Sequence, residues 1–373
     1  MPSRLQELTG AEFPLFAFSH CRDVVVAVSK AGGFGVLGGS SFTPESLEEE
    51  LRWIDEHIDG KPYGIDILIP ENMDLPAGVT GEMLAASVPE KHVAFTQDLL
   101  AGVDVNSDRD GLVSTKLPTI SPAISEGLLD VAFRHPIKLI VNALGIAPPQ
   151  MIERARQHGV AVGALVGAKE HAIRQARAGV DVIVAQGAEA GGHCGEVATI
   201  VLIPEVVRAL EEYGSPPVLA AGGIVTGAQM AGMMAMGAQG VWTGSVWLAT
   251  TEAETTEIFR EKMVEARSRD TIRSTYRTGK PSRQLHSTWH DAWHGPDSPG
   301  KLGMPQMGLL SQPALTRVDK AAAGGNAKAR EMVTYFVGQG VGLIDQVRSA
   351  TGVVQEFKED YLAAIERLND TLE

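Results

Sequence analysis

Short apolar segments alternate with segments of helical periodicity along most of this chain. The apolar segments are rich in Val, Ile, Leu and Ala, a pattern typical of strands that are buried on both faces of a parallel sheet. We predict eight such strands: Phe13–Phe18, Gly35–Leu37, Tyr63–Ile69, Lys138–Asn142, Val160–Val166, Val180–Ala185, Pro217–Ala221 and Gly240–Val246. Strands that alternate with helices indicate an α/β protein with a parallel sheet.

The segments between the predicted strands carry signals of helix ends. Thr43 and Pro44 are the residue types of an N-cap and of a first helical position, and apolar residues recur at helical spacing over residues 47–58. Residues 148–158 and 168–178 are predicted as further helices. Each is followed by a glycine, which suits the left-handed position just past a helix end.

Eight strands that alternate with helices favour a closed (β/α)8 barrel over an open sheet. Two connections are too long for one crossover helix: residues 70–136, after the third strand, and residues 249–373, after the eighth. We therefore predict a barrel unit over residues 1–250, which includes the insertion at 70–136. Residues 251–373 would form an added helical lobe together with the last helix of the barrel.

Composition and charge narrow the class of protein. The 373 residues carry a net charge of −14, which argues against a nucleic-acid or anionic-membrane partner. No apolar run is long enough to cross a bilayer, and the amino terminus lacks the pattern of a secretory signal. Cys21 and Cys194 are the only cysteines and imply no disulfide framework. We therefore expect a cytoplasmic protein.

The stretch 185–196, Ala-Gln-Gly-Ala-Glu-Ala-Gly-Gly-His-Cys-Gly-Glu, follows the sixth predicted strand. Glycines let the backbone approach a ligand closely, and an imidazole transfers protons near neutral pH. Because catalytic groups of barrels lie at the carboxyl ends of strands, we interpret His193 as a catalytic residue, against the alternative of a structural or surface histidine. Cys194 is interpreted as a bystander, and Glu189 as a residue that orients a neighbour or caps a helix.

Glycines also lie at the ends of the last two predicted strands. Gly222 and Gly223 directly follow the seventh strand, and Gly244 and Ser245 lie in the last part of the eighth. The loops after strands 7 and 8 of a barrel often bind a phosphate through bare backbone N–H groups. We predict a phosphate site here; the alternative is that these glycines serve tight turns between strands and helices.

A third glycine-rich run, Gly33–Gly38, matches the pattern GxGxxG. A dinucleotide fingerprint must follow a strand and open a helix, whereas here a helical pattern precedes the run and a strand passes through it. We interpret Gly32 and Gly33 as the end of a helix.

Polar residues in two further places are open to more than one interpretation. Asp66 lies within the third predicted strand, where a buried carboxylate would contact either a ligand or an internal partner. His286, His290 and His294 are spaced by four residues, so on one helix they would form a single stripe. That stripe could bind zinc, line the substrate pocket or be a packed face of the lobe. We predict no metal site, because no glutamate accompanies these histidines in the HExxH manner.

Together these residues resemble the nitronate monooxygenase family, whose members are FMN-dependent TIM-barrel enzymes. The resemblance is carried by Ala185–His193 and Ala220–Ile224. Weaker support comes from Ala31–Gly38, Gly237-Ala238, Gly240-Val241 and Gly279–Arg283.

The resemblance implies roles for individual residues. His193 matches the catalytic histidine of the family, as a base or as the partner of an anion. The residues expected to bind FMN are Asp66, Gln186, Gly191, Gly192, Gly222, Gly223, Trp242, Thr243, Gly244 and Ser245. Asp66 stands where the family usually has an asparagine.

This chain departs from the family at the end of the first strand. The family has Ala-Pro-Met there, and this chain has Ala17-Phe18-Ser19-His20-Cys21. We expect Phe18, His20 and His290 to line the substrate pocket.

The resemblance implies oxidation of alkyl nitronates with oxygen, which yields a carbonyl compound and nitrite. One alternative is an NAD(P)H-dependent flavin reductase that acts on a quinone or an enoyl or CoA-linked substrate. A second is a flavin-free lyase or isomerase with a phosphorylated substrate, and a third is a non-catalytic flavin-binding protein. The sequence leaves open whether NAD(P)H is a partner and whether copies of the chain form a homo-oligomer.

Overall fold

Eight parallel strands close into a barrel in the computed structural model of the chain, which describes residues 3–69, 79–116 and 122–371. The strands of these residues are β1 (Leu15–Ser19), β2 (Phe34–Gly38), β3 (Tyr63–Ile67), β4 (Leu139–Asn142), β5 (Ala161–Val166), β6 (Val182–Gln186), β7 (Gly192–His193), β8 (Val218–Ala221), β9 (Gly240–Thr243), β10 (Thr271–Ser274) and β11 (Ser282–Leu285). The barrel order is β1-β2-β3-β4-β5-β6-β8-β9, and β9 pairs with β1. The predicted (β/α)8 TIM barrel is confirmed.

Helices surround the barrel and build the additions to it. Those of the described residues are α1 (Arg4–Thr9), α2 (Arg22–Lys30), α3 (Pro44–His57), α4 (Gly81–Ala86), α5 (Glu90–Gly102), α6 (Pro122–Ala132), α7 (Pro149–His158), α8 (Lys169–Ala178), α9 (Thr199–Ala209), α10 (Gly227–Ala235), α11 (Ser245–Leu248), α12 (Glu257–Glu265), α13 (Thr288–His294), α14 (Gln306–Ala323), α15 (Ala327–Met332) and α16 (Ala350–Asp370). None of these helices is long and apolar enough to cross a membrane.

Local sequence signals correctly predicted where most helices and strands begin and end. The Thr43 hydroxyl caps α3, and Gly159 and Gly179 adopt left-handed conformations at the ends of α7 and α8, as predicted. Gly32, just past α2, also has a positive φ of 90°, and β2 runs through most of the GxGxxG match. That run is therefore a helix end followed by a strand, as expected.

The predicted eighth strand, Gly240–Val246, is too long. Strand β9 ends at Thr243, because Gly244 leaves the extended region (φ −129°, ψ −61°) and α11 begins at Ser245. The indole N–H of Trp247 donates to the Thr243 hydroxyl at 2.9 Å and stabilises this turn. The prediction was wrong because a short apolar run does not distinguish a strand from the first turn of a buried helix.

The barrel interior is filled by side chains that alternate along the strands. Among the described residues one buried cluster occupies it, comprising Phe16, Phe34, Val36, Leu139, Val141, Ala161, Val182, Val184, Leu219, Ala221 and Trp242. Leu5 of α1 belongs to the same cluster. Helix α1 therefore packs against the barrel interior at the end opposite the carboxyl ends of the strands.

The two long connections contribute different structures. In the first, α6 packs against α3 and β3 as a barrel helix does, whereas α4 and α5 pack against α14. In the second, α16 packs against α10 and α2, which is the place of the helix that follows the eighth strand. The lobe of residues 251–349 therefore lies between the eighth strand and its helix.

Candidate functional site

His193 is held by a small sheet that the sequence pattern did not predict. Residues Gly192–His193 form β7, which pairs with β11 so that His193 lies opposite Ser282. Strands β10 and β11 form a hairpin of the lobe. None of the eight predicted strands includes these residues. A two-residue strand has no periodicity of its own, so this pairing depends on the distant hairpin.

The ring of His193 is exposed but lies among lobe residues. Its Nε2 atom lies 2.8 Å from the Thr278 hydroxyl oxygen, which in turn lies 3.2 Å from the Lys280 carbonyl oxygen. The hydroxyl can only donate to that carbonyl, so it accepts from His193 Nε2–H, and Nδ1 keeps its lone pair. Burial of the ring among protein atoms lowers the pKa of His193, and the positive charge of Lys280 lowers it further. The imidazole is therefore neutral at pH 7 and can act as a base.

Glu189 is a helix cap. One oxygen of its carboxylate accepts from the backbone N–H of Thr199 at 2.8 Å and from the Thr199 hydroxyl at 2.7 Å, at the start of α9. Negative charge is favourable at that end of a helix. Of the two interpretations of Glu189, the structure supports the cap.

Aromatic and polar side chains form the rim on the other side of the barrel. A Cβ on Gly38 would lie 2.5 Å from His20 Nδ1 and 2.9 Å from Phe18 Cζ, so both rings occupy the inner side of β2 at its carboxyl end. His20 Nδ1 lies 3.0 Å from the Gly38 carbonyl oxygen. Strand β2 is four strands away from β6 in either direction around the barrel. Phe18 and His20 therefore face the β6 side across the barrel mouth.

Two polar side chains point inward at the carboxyl ends of strands. Gln186 continues the inward series of Val182 and Val184 on β6, and Asp66 lies on the inner face of β3. In the described part of the chain neither side chain has a hydrogen-bond partner. Asp66 is 5% exposed, and burial raises its pKa to about 7. Both side chains are thus available to a ligand.

The two loops that we predicted to bind a phosphate have glycines at the expected positions. Gly222 and Gly223 have φ values of 110° and 72°, which favour glycine. A Cβ on Gly222 would lie 2.8 Å from the Thr199 hydroxyl oxygen and 3.1 Å from the Gly187 nitrogen. Gly244 lies on the neighbouring loop, directly before α11.

The structure adds a segment to these loops that sequence reasoning missed. Gly338 donates its N–H to the Ser245 hydroxyl at 2.9 Å, and Gln339 donates its N–H to the Glu189 carbonyl at 2.9 Å. A Cβ on Gly340 would lie 2.6 Å from the Gly223 carbonyl oxygen. The two glycines around Gln339 were a signal in the sequence, but nothing local connected them to the seventh and eighth strands.

Gly191 has a similar reason to be glycine. A Cβ there would lie 2.8 Å from the Gly338 nitrogen. The segment of residues 337–340 therefore packs against both the loop after β6 and the loop after β8.

Two predicted cofactor residues have internal roles in the structure. The Thr243 hydroxyl donates to the Phe16 carbonyl at 3.0 Å and accepts from Trp247 at 2.9 Å, so its hydrogen is used inside the protein and it cannot donate to a ligand. Trp242 belongs to the barrel interior, where its ring stacks on Phe18 with 6.1 Å between centroids.

The three lobe histidines do not lie on one helix, although the rings of His286 and His290 stack with 5.9 Å between their centroids. Helix α13 covers Thr288–His294, and His286 precedes it because Ser287 is extended. The three rings have different partners: His286 pairs with Asp291, His290 with Ser287 and His294 with Ser274. Within the described ranges no cluster of His, Cys, Asp or Glu is arranged to hold a metal ion.

His290 is buried inside the lobe rather than at the barrel rim. It is 1% exposed, and its pKa falls to about 3, chiefly because of burial and secondly because of His286. No described contact connects it to Phe18, His20 or Asp66. The structure therefore does not bring it together with the other residues that we expected in the substrate pocket.

Comparison with known proteins identifies the family. The model of the nitronate monooxygenase family matches residues 4–360. The chain belongs to the nitronate monooxygenase family. As a member it is an enzyme, a flavin-dependent oxidoreductase, and the flavin-free and non-catalytic alternatives are set aside.

Individual relatives agree with this family. The chain is 52% identical to "Putative monooxygenase Rv1533" of Mycobacterium tuberculosis, over 99% of this chain and 98% of that protein. It is 26% identical to a "Probable nitronate monooxygenase" of Staphylococcus saprophyticus, over 77% and 79% of the two chains.

Two solved structures share the fold. Nitroalkane oxidase from Streptomyces ansochromogenes has a TM-score of 0.77 and 24% identity, and the match covers 98% of this chain and 100% of that one. FabK from Thermotoga maritima has a TM-score of 0.72 and 24% identity, over 100% and 99% of the two chains. At this level of identity the comparison shows that the barrel fold is shared.

Proposed function

We propose that this nitronate monooxygenase family member is an FMN-dependent enzyme that oxidises alkyl nitronates with oxygen. The observation that carries the proposal is the position of His193. Its imidazole is neutral and is oriented by Thr278, and it lies on the loop after β6, the strand across the barrel from the rings of Phe18 and His20 at β2. The products would be a carbonyl compound and nitrite.

The residues present fit a flavin mononucleotide. Gly222 and Gly223 carry no side chain directly after β8, and the Gly244–Ser245 turn follows the neighbouring strand β9, so the backbone N–H groups of these two loops would hold the phosphate. Asp66 and Gln186 present polar groups without partners at the barrel mouth. When bound, FMN would supply a two-electron acceptor that oxygen can regenerate.

His193 would handle the charge and the proton of the substrate. As a neutral base it could remove the proton from the carbon atom beside a nitro group. After taking up a proton, the same ring would balance the negative charge of a nitronate. The ring of Phe18, which lies at β2 across the barrel from β6, would form an apolar wall that suits an alkyl chain.

The visible spectrum of the purified protein and two anaerobic additions test this function. We expect flavin absorbance, release of FMN on denaturation, and bleaching by ethyl nitronate but not by NADH. Bleaching by NADH alone would contradict nitronate oxidation and would indicate the flavin reductase alternative. A protein that neither contains nor binds FMN would contradict the cofactor assignment.

A further inference from the structure

Asp66 occupies the inner face of the barrel at the carboxyl end of β3. Two residues earlier on the same strand, a Cβ on Gly64 would lie 3.1 Å from the ring of Phe34, which belongs to the interior cluster. Because side chains alternate along a strand, Asp66 points to the same side as Gly64. Its register partner on β2 is Gly38.

The carboxyl group of Asp66 has no hydrogen bond or ion pair among the described residues, and the residue is 5% exposed. An isolated carboxylate is costly to bury, so the protonated form is favoured and the pKa rises to about 7. A protonated carboxyl group carries one O–H donor. At neutral pH and below, Asp66 therefore presents a free donor to the barrel mouth.

His20 is the titratable group that faces Asp66 from the mouth. Its ring covers Gly38, and its Nδ1 carries the hydrogen because the Gly38 carbonyl can only accept. On the β4 side the register partner of Asp66 is the apolar Val141. The other ionisable group on β3 is Tyr63, which donates to Asp55 on the outer side of the barrel, where Asp55 also contacts His135. Glu126 and Asp130 of α6, the helix packed against β3, are exposed on the outer side as well.

We propose that Asp66 acts as a protonated hydrogen-bond donor to an acceptor atom of the flavin ring, so that cofactor binding is coupled to the binding of one proton. This inference rests on the proposed function, because it requires FMN at the barrel mouth. It concerns the protonation state in which Asp66 contacts the cofactor.

Thermodynamic linkage then gives the pH dependence. If only the protonated form of Asp66 binds FMN well, affinity is independent of pH well below the pKa of the free protein. Above that pKa, each pH unit weakens binding by up to about tenfold, because a proton must be taken up first. Asp66→Asn keeps a donor at the same place and removes the titration.

Fluorescence titration of FMN into the flavin-free full chain, from about pH 5.5 to pH 8.5, tests the inference. We expect the wild-type dissociation constant to rise by up to about tenfold per pH unit above pH 7 relative to that of Asp66→Asn. The ratio of the two constants cancels the titration of the FMN phosphate, whose second pKa is about 6. Glu196→Gln, an exposed acid on the loop of His193, is the control and should follow the wild type.

Calorimetry of FMN binding to the wild type in buffers of different ionisation enthalpy provides a second measurement that needs no variant. We expect net uptake of up to one proton above pH 7 beyond that of the phosphate itself, and the loss of this uptake in Asp66→Asn. Equal pH profiles for wild type and Asp66→Asn, or no proton uptake, would overturn the role of Asp66 while the FMN assignment stands. Failure of the wild type to bind FMN at any pH would overturn both.

Discussion

The Nε2 atom of His193 lies 2.8 Å from the hydroxyl oxygen of Thr278, although 85 positions separate the two residues in the chain. Strand β7 carries the histidine, and the hairpin of the lobe carries the threonine. A residue of the barrel is therefore oriented by a residue of the lobe. The lobe therefore contributes a residue to the candidate site.

Replacement of Thr278 by valine should slow the reduction of bound flavin by ethyl nitronate about tenfold. The change removes the hydroxyl that orients His193, a loss of about 1.4 kcal/mol. Stopped-flow absorbance under anaerobic conditions measures the rate, and Thr278→Ser, which keeps the hydroxyl, should stay near the wild type. A Thr278→Val rate equal to the wild-type rate would show that the hydrogen bond does not support catalysis.

Replacement of His193 by asparagine should lower turnover of a nitroalkane or nitronate by roughly 10²–10⁴-fold, while FMN remains bound. The amide cannot take up a proton, but it keeps polar groups at the rim. His171→Asn, at an exposed position on α8, is the matched control. Loss of FMN in parallel with activity would instead assign His193 to the structure of the cofactor site.

Replacement of Glu189 by alanine should destabilise the protein by roughly 1–3 kcal/mol, because α9 loses a charged cap that accepts two hydrogen bonds from Thr199. Glu189→Gln, which keeps an acceptor, should lose less. Urea unfolding measures both. Turnover per folded molecule should change little, and a large catalytic loss at unchanged stability would contradict the assignment as a cap.

Replacement of Gly340 by alanine should weaken FMN binding at least about tenfold, or 1.4 kcal/mol. The added Cβ would lie 2.6 Å from the Gly223 carbonyl oxygen and would displace the loop proposed to hold the phosphate. Gly232→Ala on α10 is the control, since its Cβ meets no atom within 4 Å; it should leave FMN binding unchanged and stabilise the helix by about 0.5–1 kcal/mol. Wild-type affinity in Gly340→Ala would remove residues 337–340 from the site.

The stability of the flavin-free protein should depend on pH through Asp66. The folded pKa is about 7 and the ordinary value is 3.8, so between these values the native state binds more protons than the unfolded state. Stability therefore falls as pH rises through this window, and the full cost is present above pH 7. Asp66→Asn removes that cost, up to about 4 kcal/mol.

Urea unfolding at pH 4, 6 and 8 checks the linkage. The stability gain of Asp66→Asn should be small at pH 4 and largest at pH 8. A gain that is the same at every pH would show that Asp66 does not titrate in this window.

Sequence reasoning was most accurate where the signal was local. Apolar runs identified every barrel strand, with ends within about two residues except at the eighth, and capping residues identified helix starts such as that at Thr43. Sequence reasoning failed where a short segment was compatible with two kinds of secondary structure. Val246 lies in a helical turn although its neighbours resemble a strand, and His286 lies outside the helix of His290 and His294 because Ser287 is extended.

The sequence by itself determined the barrel and the glycine loops after the seventh and eighth strands, and it supplied the hypothesis that His193 is catalytic, because each depends on residues that are close in the chain. Only the tertiary structure decided which side chains meet. Closure of the barrel places His20 and Phe18 opposite the β6 side, and the lobe brings Thr278 to His193 and Gly340 to Gly223. These contacts join segments far apart in the chain, and the direction of a side chain follows from strand register and packing rather than from local pattern.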